Sequence, residues 1–147
     1  MYTLKNKTIL ITGATDGLGK LLATSLAKLG ANLIIHGRNQ DRIDQTIAQL
    51  SKDDMGQSHL GIVCDFYNPI SVEKAFGEIN NIDILINNAG EWQEGITIES
   101  SATKIINVAN VNLTAPMVLV SMLLPKLQQS DFGQILNISS IAGVEIP

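Results

Sequence analysis

Apolar and polar stretches alternate along this chain with a regular beat. The run Thr8-Ile9-Leu10-Ile11 lies within residues 7–12 and predicts a buried strand, being short, unbroken and without helical spacing. Residues 18–29 place Leu and Ala at helical intervals and predict a helix, with Gly30 just past its end where a left-handed residue is favoured. Asn32-Leu33-Ile34-Ile35 predicts a second strand, and Asn39 the cap of a helix reaching about Leu50, with Ile43, Ile47 and Leu50 on one face. A polar loop from Ser51 to Ser58 leads to a third strand, Leu60-Gly61-Ile62-Val63. Asn68 is expected to cap a helix that has Pro69 at its first position and runs to about Ile79. Residues 82–86 predict a fourth strand. Two separate helices are expected over roughly 99–110 and 113–129, the second with Pro116 in its first turn. Asp131-Phe132-Gly133 then turns the chain into a fifth strand at 134–138.

Short apolar strands alternating with helices imply an α/β fold, a doubly wound parallel sheet covered on both faces. No repeat, low-complexity tract or linker divides the chain, so residues 1–147 are expected to form one domain.

Composition narrows the class. The 147 residues are 45% apolar and 16% charged, a globular balance rich in core residues. A net charge of −4 with scattered Lys and Arg gives no electrostatic reason to expect nucleic acid. Cys64 is the single cysteine, so an intrachain disulfide is impossible and no metal site of the zinc-cluster type is expected. Lys5, Asn6 and Lys7 interrupt any apolar leader, and no apolar run approaches a membrane-spanning length, so no membrane partner is expected. A cytoplasmic protein is the expectation.

The segment after the first strand carries the candidate chemistry: Thr12-Gly13-Ala14-Thr15-Asp16-Gly17-Leu18-Gly19. Strand, glycine-rich turn and helix in that order aim backbone N–H groups and a positive helix end at an anion, as in sites for a dinucleotide pyrophosphate. Gly13 is expected to make the tight turn, Gly17 to let backbone approach phosphate, and Gly19 to let the helix lie close to the strand. Thr15, Asp16 and Leu18 complete this cofactor loop. A purely structural turn is the plain alternative. A P-loop fails, because Ala14 stands where its first glycine belongs and Leu21 where a magnesium-binding hydroxyl is required.

The second strand runs into His36-Gly37-Arg38-Asn39 without the acid that would accept hydrogen bonds from the ribose of NAD. Arg38 offers a guanidinium fork suited to a 2′-phosphate, so NADP(H) is favoured over NAD(H). Asp16 in the glycine loop is a mild objection, and a solvated Arg38 is the plain alternative. His36 reads as a loop residue, with no partner for catalysis evident. Asp65, after the third strand, is placed either to accept a hydrogen bond from an adenine amino group or merely to cap a loop. Cys64 reads as a small buried apolar residue.

Asn87-Asn88-Ala89-Gly90 closes the fourth strand, with amides to tie strands together and small residues that leave room for a flat ligand. With this segment the chain resembles the short-chain dehydrogenase/reductase family. The likeness rests on Thr12–Gly19, Asp65, Asn87–Gly90, Val111-Asn112-Leu113 and Asn137-Ile138-Ser139-Ser140-Ile141-Ala142-Gly143, in order. It implies a Rossmann-type fold with strand order 3-2-1-4-5. It also implies hydride transfer between a nicotinamide cofactor and a small-molecule alcohol or carbonyl substrate. Asn88, Ala89 and Gly90 would line the path to the nicotinamide. Ser140, rather than Ser139, would hydrogen-bond the reacting oxygen, and Asn112 would hold a relay water.

The family's general acid, a Tyr whose pKa is lowered by a Lys four residues on, has no counterpart here. Tyr2 and Tyr67 are the only tyrosines, and neither is followed by Lys at that spacing. The resemblance places that pair beyond Pro147, with further strands and helices. The expectation is therefore the N-terminal part of an enzyme, inactive alone, whose fifth strand is an unpaired apolar edge. Family likeness also points to a homo-oligomer in the full-length form. Two alternatives stay open: a non-catalytic NADP(H)-binding or regulatory module, and an epimerase or dehydratase of the wider superfamily, against which Asn87–Gly90 argues. Residues 91–103 form a plausible cleft wall, with Trp92 read as a packed loop aromatic.

Overall fold

The computed structural model describes residues 4–50, 56–92 and 100–141. Most of the predicted polar loop at 51–55, part of the predicted cleft wall at 93–99, Tyr2 and the final segment 142–147 lie outside the described residues.

Five strands form one parallel sheet: β1 (Thr8–Ile11), β2 (Asn32–Gly37), β3 (His59–Val63), β4 (Ile84–Asn87) and β5 (Gln134–Asn137). Their order is β3-β2-β1-β4-β5, as expected. Helices α1 (Gly17–Lys28), α2 (Gln40–Gln49), α3 (Ile70–Phe76), α4 (Ala102–Ala109) and α5 (Ala115–Leu127) connect them. Successive strand residues point to opposite faces, and β1 shows the consequence. Ile9 and Ile11 pack with Ala23, Ala27, Ile35 and Ile43 on the α1/α2 side. Leu10, one residue between them, packs with Val72, Phe76, Leu85, Leu119 and Leu123 on the α3/α5 side. A strand buried on both faces has to be apolar at every position, which is why β1 reads as an unbroken run.

Local chemistry sets most helix ends. The Asp16 carboxylate accepts from Gly17 N–H at the start of α1, and Gly30 leaves it with φ +91°. Asn39 caps α2 by accepting from Arg42 N–H at 3.0 Å. α3 differs from expectation. Pro69 occupies the cap position in helical conformation without a side-chain bond, and the helix stops at Phe76 before Gly77 instead of reaching Ile79. Gly77 itself keeps helical dihedrals (φ −59°, ψ −31°), and the low helix propensity of glycine favours an end there.

The largest departure lies between α4 and α5, where a break was expected. Residues Asn110–Thr114 instead form a π-turn that makes 102–127 one continuous helix. Pro116 has no N–H to donate to the carbonyl of Asn112, and the wider turn accommodates this, with Ala115 N–H bonding to Asn110 five residues back. The resulting 26-residue helix is long and apolar enough to cross a membrane by length and composition, which a reading in two pieces missed. Ala115, Leu119, Leu123 and Leu127 bury one face of it in the core beside α3.

At the end of the sheet remote from the strand C-termini, Asp83 accepts from Thr8 N–H at 2.7 Å and Ser130 Oγ at 2.5 Å, with Lys7 at 3.4 Å. Burial works to raise this carboxyl, but those hydrogen bonds and Lys7 outweigh it and hold it below its ordinary value. β5 pairs only with β4 among the described residues, and Ile135 and Leu136 on it are exposed, matching the expected apolar edge.

Candidate dinucleotide site

All five strands run in parallel, so their carboxyl ends converge on one side of the sheet. Order reverses between β1 and β4, one leading out towards β3 and the other towards β5, and a crevice opens there. A cleft of about 670 Å³ occupies it. Gly13, Thr15, Asp16, Gly17, Leu18 and Gly19 line it from β1, and Arg38 from β2. Asp65 lines it from β3, and Asn88, Ala89 and Gly90 from β4. Every position read from sequence as cofactor-facing is thus brought to one cleft.

The glycine loop has little freedom. Gly13 and Gly17 have φ of +63° and +47°, where a side chain is disfavoured. A Cβ on Gly13 would stand 2.9 Å from the Cα of Ala89, so the loop and the β4 end are in backbone contact. Gly17 has open space on its Cβ side and leaves room over the start of α1. Thr12 supplies the tie between the two segments. Its buried Oγ1 accepts from the N–H groups of both Asn88 and Ala89 at 2.9 Å. The Asn88 amide returns the favour, donating to the carbonyls of Thr12 at 2.9 Å and Gly13 at 3.2 Å. Thr12→Val keeps the shape but strands two N–H groups, so unfolding free energy should fall by about 2 kcal/mol. Urea denaturation checks this, and a loss below about 0.5 kcal/mol would show that the twin contact carries no net stabilisation.

His36 corrects the sequence reading. It is a buried β2 residue with partners on both ring nitrogens. Nδ1 accepts from Gly13 N–H at 3.2 Å, which leaves the proton on Nε2 to donate to the Cys64 carbonyl at 3.0 Å. Phe66 stacks on the ring at 4.3 Å between centroids and 15° between planes. Burial pushes its pKa down to about 4, against the opposing pull of the Cys64 carbonyl and Asp65. His36 is therefore a neutral strut under the glycine loop. Its alternation with Ile35 along β2 was the available signal, hidden by placing the strand end too early. Cys64 is buried as expected, its thiol raised by that burial.

The far end of the cleft is polar. The Arg38 guanidinium lies over the Tyr67 ring at 5.5 Å. Asp65 Oδ1 accepts from Tyr67 N–H at 3.0 Å and so holds the loop that presents that ring. Arg42, unremarked in the sequence, also lines the cleft and pairs with Asp16 at 2.8 Å.

Asn112 and Ser140 stand outside this lining. Asn112 sits in the π-turn, where its amide accepts from Glu91 N–H at 2.8 Å and donates to Glu91 O at 2.9 Å. It thereby fixes the chain just beyond Gly90. Ser140 follows β5 and is exposed. Trp92 is 68% exposed, so the expectation of a packed aromatic is corrected.

Fold and cleft together define a doubly wound, Rossmann-type protein with its ligand crevice at the topological switch point. The chain matches the family model of the short chain dehydrogenases over residues 7–146, and it belongs to that family of oxidoreductases. It is 37% identical to the ketoacyl reductase HetN of Nostoc sp., an alignment that takes in 97% of this chain and 50% of HetN. A short-chain dehydrogenase from Sphingobium yanoikuyae in complex with NADPH superposes with TM-score 0.83 at 35% identity, covering 94% of this chain and 55% of that one. A short chain dehydrogenase/reductase from Burkholderia phymatum in complex with NAD does so with TM-score 0.85 at 29% identity, covering 100% and 53%. The chain spans about half the length of these relatives.

Proposed function

We propose that this chain is the cofactor-binding part of an NADP(H)-dependent oxidoreductase that interconverts an alcohol and a carbonyl. The observation that carries the reading is Arg38, set at the end of β2 over Tyr67 in the cleft, where an NAD-binding site would place an acid. A cleft of about 670 Å³ suits a ligand of this class. Its polar groups also match in kind: a cation for a 2′-phosphate, Asp65 for an adenine amino group, and the glycine loop with the start of α1 for a pyrophosphate. Bound NADP(H) supplies the nicotinamide carbon that gives or takes the hydride.

The chain's own groups then have assignable tasks. Asn88, Ala89 and Gly90 shape the passage from the glycine loop towards the reacting end. Ser140 holds the substrate oxygen by a hydrogen bond. Asn112 spends its amide on Glu91, so its contribution to a relay water falls to its backbone carbonyl, from which Pro116 withholds the usual helical donor. No Tyr-x-x-x-Lys occurs in these 147 residues, so turnover by this chain alone is not expected, while nucleotide binding is. Likeness to HetN favours a ketone on an acyl chain as the substrate class. A cytoplasmic homo-oligomer is the setting in which we place the activity.

Arg38→Asp tests the cofactor assignment. Replacing a cation by an acid should lower affinity for NADPH and raise that for NADH, moving their ratio by about tenfold or more. Calorimetric titration with both cofactors reads it, and an unchanged ratio would sink the assignment. Binding without turnover in a chain that carries Tyr-x-x-x-Lys would favour the regulatory module instead.

A further inference from the structure

The proposed cofactor site holds a second cation that the family motifs do not point to. Arg42 projects from the first turn of α2, four residues beyond Arg38, and lines the same cleft. Its place is set from below, because its own N–H is the one capped by Asn39. In the structure its Nη2 meets Asp16 Oδ2 at 2.8 Å, a single-point contact between side chains that are 54% and 80% exposed. A guanidinium has five N–H donors, so one such contact leaves most of them unspent. Solvent screens an exposed pair of this kind, and a phosphate dianion is a stronger acceptor than one carboxylate oxygen.

Asp16, by contrast, is not free to swing away. Its other oxygen accepts from Gly17 N–H at 2.8 Å and caps α1. The hydrogen bond from Arg42, then that from Gly17, holds this carboxyl below its ordinary value, so it stays charged at neutral pH. The negative charge therefore remains beside Arg42 whether or not a ligand is present.

We infer that Arg42 is a second ligand for the cofactor's 2′-phosphate and that Asp16 restrains it, so that the Asp16–Arg42 pair sets how strongly the site prefers a phosphorylated ribose. This deepens the NADP(H) reading above and rests on it. In the free protein the pair closes the cation against its neighbour. A 2′-phosphate draws Arg42 towards Arg38, and the residual charge of Asp16 tempers the gain. Specificity is thereby graded by three side chains: Arg38 attracts, Arg42 attracts when released, and Asp16 restrains Arg42.

The test uses 2′,5′-ADP and 5′-AMP, which differ by the 2′-phosphate and need no nicotinamide pocket, titrated calorimetrically into the intact protein and its variants. Arg42→Ala should weaken 2′,5′-ADP by about tenfold and leave 5′-AMP unchanged. Asp16→Asn keeps the cap on Gly17 and removes the charge, so it should tighten 2′,5′-ADP alone. Combining the two should erase that gain, because the restraint has nothing left to act on. Thermal midpoints of the variants near the parent's confirm that folding is intact. If Arg38→Ala lowers the preference for 2′,5′-ADP while Arg42→Ala and Asp16→Asn do not move it, the inference is overturned and the NADP(H) reading survives. If none of the three moves it, or the parent does not prefer 2′,5′-ADP, the NADP(H) reading fails and takes the inference with it.

Discussion

Gly19→Ala is expected to destabilise the protein by about 3 kcal/mol or more and to cost it at least about tenfold in nucleotide affinity. Gly19 lies in the first turn of α1, and a Cβ there would stand 2.3 Å from the carbonyl oxygen of Gly13 and 2.5 Å from Asn88 Nδ2. Neither neighbour can yield at small cost. The carbonyl is backbone in a loop whose turn needs the positive φ of Gly13. The amide is committed to Thr12 and Gly13. The methyl group would push the start of α1 away from β1, and the anion-facing end of the cleft would lose its shape. Gly90→Ala is the matched control. Its Cβ would find only ordinary contacts, 3.8 Å from Asn112 Oδ1, and the cost should stay within about 0.5 kcal/mol although Gly90 lines the same cleft. Urea midpoints and calorimetric titration of both variants decide the matter. A Gly19→Ala protein as stable as the parent would mean that α1 can shift without cost, and the packing argument would fall.

The second large effect is a loss of stability in mild acid carried by His36. Held neutral in the fold with a pKa of about 4, it regains its ordinary value near 6.5 once the chain unfolds. Between those two values the unfolded chain binds more protons than the folded one, so stability rises with pH across that window. The contribution is complete above about pH 6.5 and is lost as pH falls towards 4, amounting to about 3 kcal/mol over the span. Carboxylates titrate over part of the same range, so the comparison must be with a variant. His36→Gln keeps an acceptor for Gly13 N–H and a donor for the Cys64 carbonyl but has no proton to gain. Denaturation series from pH 4 to pH 7 should show a steeper slope for the parent than for His36→Gln. Parallel slopes would mean that His36 takes up its proton alike in the folded and the unfolded chain, and the reading of a neutral strut would fall.

Much of the architecture was legible along the chain because its causes are local. Unbroken apolar runs mark strands buried on both faces, as with Ile9, Leu10 and Ile11. Caps announce themselves, as with Asn39 on Arg42 N–H and Gly30 after α1. The glycine loop, Arg38, Asp65 and Asn88 to Gly90 could be placed at strand ends from order alone, and a parallel sheet brings such ends together. The continuous helix through 102–127 was not legible, since Pro116 suggests a break unless the turn before it widens, and that choice is made by packing.

What the amino-acid sequence determined by itself is the fold class and the set of residues at the strand ends, because these follow from periodicity, turn chemistry and spacing within a few residues, while the strand order was implied by the family resemblance. Only the tertiary structure decided what those residues do to one another. Thr12 reaches Asn88 across 76 positions, His36 reaches Gly13 across 23, and Arg42 meets Asp16 across 26. No local signal encodes such a partner. Hydrogen bonds and ion pairs are selected by distance and direction in space, and those exist only once the sheet has set its strands side by side.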